Sequence, residues 1–102
     1  MPIDVVGKTE VGERVKWIDS GRAIDRASIQ VCDDPSFHFL RFVDPYDNTI
    51  FNPLQIGALL EEFARVDTRA WSPEERQGLT RVEAAARECV AQRRWYLWFI
   101  GD

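Results

Sequence analysis

The hydrophobic pattern in the middle of the chain predicts a hairpin followed by a helix. From Phe37 to Val43, apolar side chains fall on both faces of a strand, which is typical of a central strand covered on both sides. Residues 44–48 carry a proline and short polar side chains, and these favour a tight turn. Residues 49–51 return as a short strand, so we predict that strands 37–43 and 49–51 pair with each other.

The sequence after this hairpin contains a complete helix start signal. Asn52 fits the N-cap, Pro53 the first helical position and Gln55 the third, which together form a capping box. Phe51 can pack on Ile56 as a hydrophobic staple. The apolar residues that follow have the spacing of one buried helical face: Ile56, Leu59, Leu60, Phe63 and Ala64.

Three shorter strands are predicted before residue 37. The first covers residues 3–6, and the second covers residues 13–18 with Val15 and Trp17 on its buried face. Alternation resumes at residues 27–32, after a short segment that fits no single pattern. Because the turns between these segments are short, we expect an antiparallel meander.

The last third of the chain predicts a second helix and a closing strand. Ser72 and Glu75 form another capping box, and the helix is expected to run from Pro73 to about Arg93. The residues of its apolar face are Leu79, Val82, Ala86, Cys89 and Val90. Residues 95–100 are apolar on both faces and predict a buried strand, with continuation of the helix through Trp98 as the alternative.

Together these elements predict an α+β protein with a single domain over residues 1–102. We expect a two-layer sandwich in which two helices cover one face of a mostly antiparallel sheet of four or five strands. The predicted element order is strands, helix, helix, strand.

Composition and charge narrow the classes of partner. The net charge is −4, which argues against general nucleic-acid binding, and no apolar run approaches the length of a membrane span. The two cysteines are far apart, and no signal peptide is evident, so we expect two buried reduced thiols and a cytoplasmic protein. Four tryptophans, two tyrosines and six phenylalanines indicate a bulky core or an exposed aromatic surface.

The sequence contains no coherent catalytic set and predicts no cofactor. His38, the single histidine, alternates within an apolar stretch and is expected to be packed, with a site that pairs it with Cys32 as the alternative. Carboxylates cluster in the turns at residues 33–34 and 44–47, where turn capping explains them more simply than a cation does. One histidine and two distant cysteines do not fit a zinc site, so no metal site is predicted.

Two segments resemble a group of small uncharacterised bacterial proteins. These are DPYDNTIFNPLQ (residues 44–55) and YLWFIGD (residues 96–102), which are similar to the group's DPYxxTxFNxxQ segment and terminal YLxFIGD. The resemblance implies a single-domain cytoplasmic protein with no established activity. The group is similar in size and acidity to immunity proteins that neutralise a toxin, by analogy only. Its members often carry Gly where this chain has Asp47 and Asn48, which leaves the turn type open.

The leading hypothesis is a non-catalytic protein-binding module, immunity-like or regulatory, that offers acidic and aromatic surface to another protein. Loops on a rigid scaffold often carry function, so the predicted contact residues are Asp44, Tyr46, Asp47 and Asn48. One alternative is a small enzyme with a pocket around His38. Another is a homo-oligomer that assembles through exposed aromatic residues.

Overall fold

In the computed structural model, which describes residues 3–101, three helices pack on a four-stranded antiparallel sheet. The elements in chain order are β1 (Asp4–Thr9), β2 (Arg14–Ile18), α1 (Ala23–Val31), a 3-10 turn (Leu40–Phe42), β3 (Asn48–Phe51), α2 (Pro53–Arg65), α3 (Pro73–Gln92) and β4 (Trp95–Ile100). The strands lie in the order β2-β1-β4-β3. The α+β class is confirmed, but the predicted element order is wrong because a helix and a strand are interleaved before α2.

The segment 27–32, which we predicted as a strand, forms the last turns of α1 and its C-cap, Cys32. The buried residues of α1 are Ala23, Ile24, Ala27, Ser28 and Val31. The last four lie one, four, five and eight positions after Ala23, which is one face of a helix, whereas a strand would bury every second residue. The alternation seen from Ala27 onward is therefore a fragment of a helical pattern that begins at Ala23.

The segment 37–43 is also not a strand, because a buried carboxylate bends its backbone. Glu62 of α2 is only 4% exposed. Its Oε2 accepts the backbone N–H of His38 at 2.7 Å, its Oε1 accepts that of Leu40 at 2.8 Å, and both oxygens accept that of Phe39 at 3.2 Å. With these donors turned inward, every third residue is buried: Phe37, Leu40 and Val43. The predicted pairing of strands 37–43 and 49–51 is therefore wrong, and β3 pairs with β4.

Both predicted helix start signals are confirmed. Asn52 Oδ1 accepts the N–H of Gln55, and Gln55 Oε1 accepts the N–H of Asn52, both at 2.9 Å. Ser72 and Glu75 exchange the same pair of bonds at the start of α3. Two residues of the predicted apolar faces, Ala64 and Val90, are exposed because each lies at the flank of its buried stripe.

The closing strand is confirmed as β4, and it occupies the interior of the sheet between β1 and β3. Leu97 and Phe99 point toward the helices and are fully buried. The rings of Phe51 and Phe99 meet edge to face with centroids 5.5 Å apart. α3 reaches β4 through Arg93, whose φ of 63° gives the left-handed turn that ends the helix.

We predict that Glu62→Ala lowers the free energy of unfolding by about 3 kcal/mol or more, because three backbone donors lose their acceptor. Urea denaturation followed by circular dichroism measures this loss. Glu61→Ala is the matched control, since Glu61 is exposed on the same helix, and it should stay within about 0.5 kcal/mol of the parent. Equal stability of the two variants would contradict the role assigned to Glu62.

The two helical glycines should respond to alanine with opposite signs. A Cβ on Gly78 would lie 2.3 Å from the carbonyl oxygen of Ser20, whereas one on Gly57 meets nothing within 4 Å. We expect Gly57→Ala to stabilise the protein by about 0.5–1 kcal/mol through helix propensity. Gly78→Ala should destabilise it by about 1–3 kcal/mol through the clash. Thermal unfolding of both variants tests this; stabilisation by Gly78→Ala would contradict the close approach.

Candidate functional site

The face of the sheet opposite the helices is apolar and aromatic. The strand register places one residue of each strand side by side in a row across it: Trp17, Val6, Trp98 and Ile50. Tyr96 and Ile100 lie on the same face of β4, two positions either side of Trp98. We call these six residues the open face.

Burial separates the open face from the core. Val6 is only 1% exposed, yet it is not part of the hydrophobic cluster that the helices share with the inner face, which includes Val5, Leu97 and Phe99. Trp17 is 57% exposed and Ile50 is 44% exposed. The neighbouring tryptophans therefore shield Val6 from water, and no helix within residues 3–101 covers the row.

The prediction that Val15 and Trp17 share a buried face is wrong. The pairing of β1 with β2 shifts register between Gly7 and Lys8, which is a β-bulge. Val15 lies beside Gly7 on the helical side of the sheet, while Trp17 pairs with Val6 on the open face. A bulge interrupts the alternation on which the prediction rested.

Opposite charges lie at the two ends of the open face. Lys8 and Arg14 pair across β1 and β2 at one end, and the Lys8 Nζ lies 3.9 Å from the centre of the Trp98 ring. At the other end, Asp4 and Asp19 line a cleft of about 180 Å³ beside Trp17. The apolar row is thus flanked by cations on one side and by carboxylates on the other.

The turn at residues 44–48 is held by its own polar groups. Asp44 Oδ1 accepts the N–H of Tyr46 at 2.8 Å, and the N–H of Asp44 donates to Thr49 Oγ1 at 3.0 Å. Asp47 Oδ1 accepts the N–H of Asn48 at 2.8 Å, and the Asp47 carbonyl accepts the N–H of Gly101 at 3.1 Å. These carboxylates are therefore occupied in shaping the turn.

Tyr46 is the residue of this turn whose side chain is most available for contact. It is 80% exposed, and its hydroxyl makes no hydrogen bond to the described part of the chain. Asn48 begins β3 and pairs with Ile100, so the turn adjoins the acidic end of the open face. Arg93 is the only non-glycine residue of positive φ in the described range, so Asp47 and Asn48 form this turn without the left-handed backbone that favours glycine.

The structure does not gather the catalytic groups that a His38 enzyme needs. The His38 side chain is exposed rather than packed, and its imidazole makes no hydrogen bond within residues 3–101. Cys32 is exposed at the end of α1, so the prediction of two buried thiols is wrong for it. A cleft of about 310 Å³ between α2 and α3 is lined by Arg76 and Glu83 but not by His38.

Metal-ligating side chains do not converge in the part of the chain that the structure describes, where no group of three or more His, Cys, Asp or Glu residues could hold an ion. Of the helices between residues 3 and 101, none is both long and apolar enough to span a membrane. Comparisons of the chain with family models, curated proteins and solved structures find no match. Functional inference therefore depends on the surface geometry.

The open face was missed in the sequence because its residues come from four separate strands. Trp98 and Ile50 were correctly placed in strands, but their neighbours across the sheet depend on β4 inserting between β1 and β3. The available signal was the excess of tryptophan, which indicated either a bulky core or an exposed surface without choosing between them.

We predict that the two thiols differ strongly in reactivity. Burial raises the pKa of Cys89 from 9.0 to about 11, whereas Cys32 is exposed. A rise of two units in pKa leaves Cys89 with about 100-fold less thiolate at pH 8 than a thiol of the ordinary pKa has. Iodoacetamide at pH 8 should therefore alkylate Cys32 first, and Cys89 only after unfolding. Peptide mass spectrometry measures both sites, with Cys32→Ser as the control. Rapid native labelling of Cys89 would contradict its burial.

Proposed function

We propose that this protein is a non-catalytic protein-binding module that docks another protein chain on the open face. The observation that carries the proposal is the row of Trp17, Val6, Trp98 and Ile50, which lies on the face of the sheet away from the helices. Trp17 and Ile50 are exposed at its two ends, while Val6 is buried and Trp98 half-buried between them. Aromatic side chains are enriched where proteins bind each other, and tryptophan is prominent among the residues that dominate binding energy.

The rigidity of this surface supports a binding role. Each residue of the row lies on a strand, and the middle strands β1 and β4 are bonded on both sides. Their backbone is therefore ordered before any partner arrives, and association costs less conformational entropy than docking on a mobile loop does. A preorganised apolar surface with charged ends suits selective protein contact.

The turn at residues 44–48 extends the proposed surface at its acidic end. Tyr46 contributes an exposed ring, and Asp44, Asp47 and Asn48 hold the loop that presents it. We propose Tyr46 as a contact residue and the other three as residues that position it. The carboxylates at this end suit a partner that presents a basic patch, and we propose that partner as a protein of the bacterial cytoplasm, such as a toxin or a regulatory protein.

Replacing the exposed side chains of the row tests the proposal. Tagged protein is used to capture partners from a lysate of the cells that naturally produce it, with untagged copies of the same chain counted among the partners. The double variant Trp17→Ser/Ile50→Ser should lower the affinity for at least one stoichiometric partner about 30-fold. This factor corresponds to about 2 kcal/mol, the contribution of a dominant contact residue. Tyr46→Ala should reduce the same partner by a smaller factor.

Leu54→Ser is the matched control, because Leu54 is an apolar side chain that is 91% exposed on α2 and lies outside the open face. It should retain the partner at the level of the parent protein. Circular dichroism verifies that each variant is folded. Capture of the same proteins in the same amounts by parent, double variant and control would overturn the assignment of the open face as the binding surface.

A further inference from the structure

We infer that the open face binds a second copy of this chain, with the strands of the two copies antiparallel across the interface. The inference rests on the proposed function and names the occupant of the same surface. It follows from the distribution of charge along the strands: Lys8 and Asp4 lie at opposite ends of β1, on either side of the buried Val6.

Two copies can stack face to face about a two-fold axis that lies between the sheets. An axis that runs across the strands, through the row of Trp17 and Val6, reverses the strand direction of the second copy. Lys8 of one copy then lies over Asp4 of the other, and Arg14 lies over Asp19. Both pairs occur twice in the dimer, because symmetry repeats each contact.

The other simple arrangement is disfavoured by the same charges. An axis parallel to the strands would place Lys8 and Arg14 of one copy over the cationic end of the second copy. The carboxylates of Asp4 and Asp19 would also face each other. Like charges across an interface are destabilising, so charge selects the antiparallel arrangement over the parallel one. The apolar row lies at the centre in both cases.

The size of the face sets the expected strength of the dimer. Four strands about 4.8 Å apart, with the longest spanning six residues, make a face of about 400 Å². This is roughly half of the area that each partner buries in a standard interface. Some interfaces of standard size have dissociation constants as weak as about 1 μM. Because the open face is smaller, we expect a dimer Kd above about 1 μM.

A charge exchange between the two ends tests the arrangement. Lys8→Glu and Asp4→Lys are made as separate proteins, and sedimentation equilibrium is measured from about 1 μM to about 1 mM. The parent protein should dimerise with concentration. Each variant alone should dimerise at least about 10-fold more weakly, because two like-charge pairs replace two opposite-charge pairs. An equimolar mixture should restore the parent affinity, because every introduced charge then faces its opposite.

Glu61→Lys is the matched control, since it adds the same charge as Asp4→Lys on the helical side of the protein. It should leave the dimer unchanged. If Lys8→Glu does not fold, Arg14→Glu and Asp19→Lys supply a second complementary pair. Arg14 is exposed on β2, and Asp19 is exposed directly after it. Trp17→Ser should abolish the dimer of the parent protein and also the dimer that forms in the mixture of charge variants.

The outcomes separate this inference from the proposed function. A parent protein that stays monomeric at about 1 mM overturns the second copy as occupant, whereas a different captured protein that depends on Trp17 and Ile50 would leave the binding module standing. A dimer that does not respond to Trp17→Ser, or a mixture of charge variants that fails to restore the affinity, overturns the antiparallel stacking of open faces.

Discussion

The carboxylate of Glu62 fixes the path of the chain between α1 and β3. A stretch as apolar as residues 37–43 could pair with the sheet, but the three backbone donors that a strand would use bind Glu62 instead. This interaction anchors Phe37 and Leu40 in the core from the side of α2. The edge of the sheet beside β4 is then formed by β3, a strand of only four residues.

The two faces of the sheet have opposite roles because of what lies above them. On the inner face, Leu97 and Phe99 are completely covered by helices, which makes this side the source of stability. On the outer face, Trp98 lies between them in sequence, pairs with Val6 and Ile50 of the neighbouring strands, and has the Lys8 Nζ above its ring. One strand therefore contributes to the core and to the proposed binding surface through alternate residues.

Local chemistry in the sequence predicted the elements that depend on neighbours in the chain. The capping boxes at Asn52 and Ser72 lie within four residues, so both helix starts could be identified without the fold. The predictions that failed concern segments whose bonding partners are distant in the chain, or segments too short to show the helical period. The backbone of residues 38–40 depends on Glu62, more than twenty positions away. Residues 27–32 alternate like a strand because this window contains only the last turns of α1. The open face needed the strand order, which no local pattern contains.

The position of β4 in the interior of the sheet has a consequence for folding kinetics. Its neighbours are β1, from the far end of the described chain, and β3, while only β1 and β2 form a local hairpin. Joining such distant segments costs chain entropy before any pairing is gained, which makes the step slow. The helices α2 and α3, with their local capping boxes, can form first. Until β4 arrives, β1 and β3 keep unpaired edges, and this interval is the time at which the chain is most open to mispairing with other molecules.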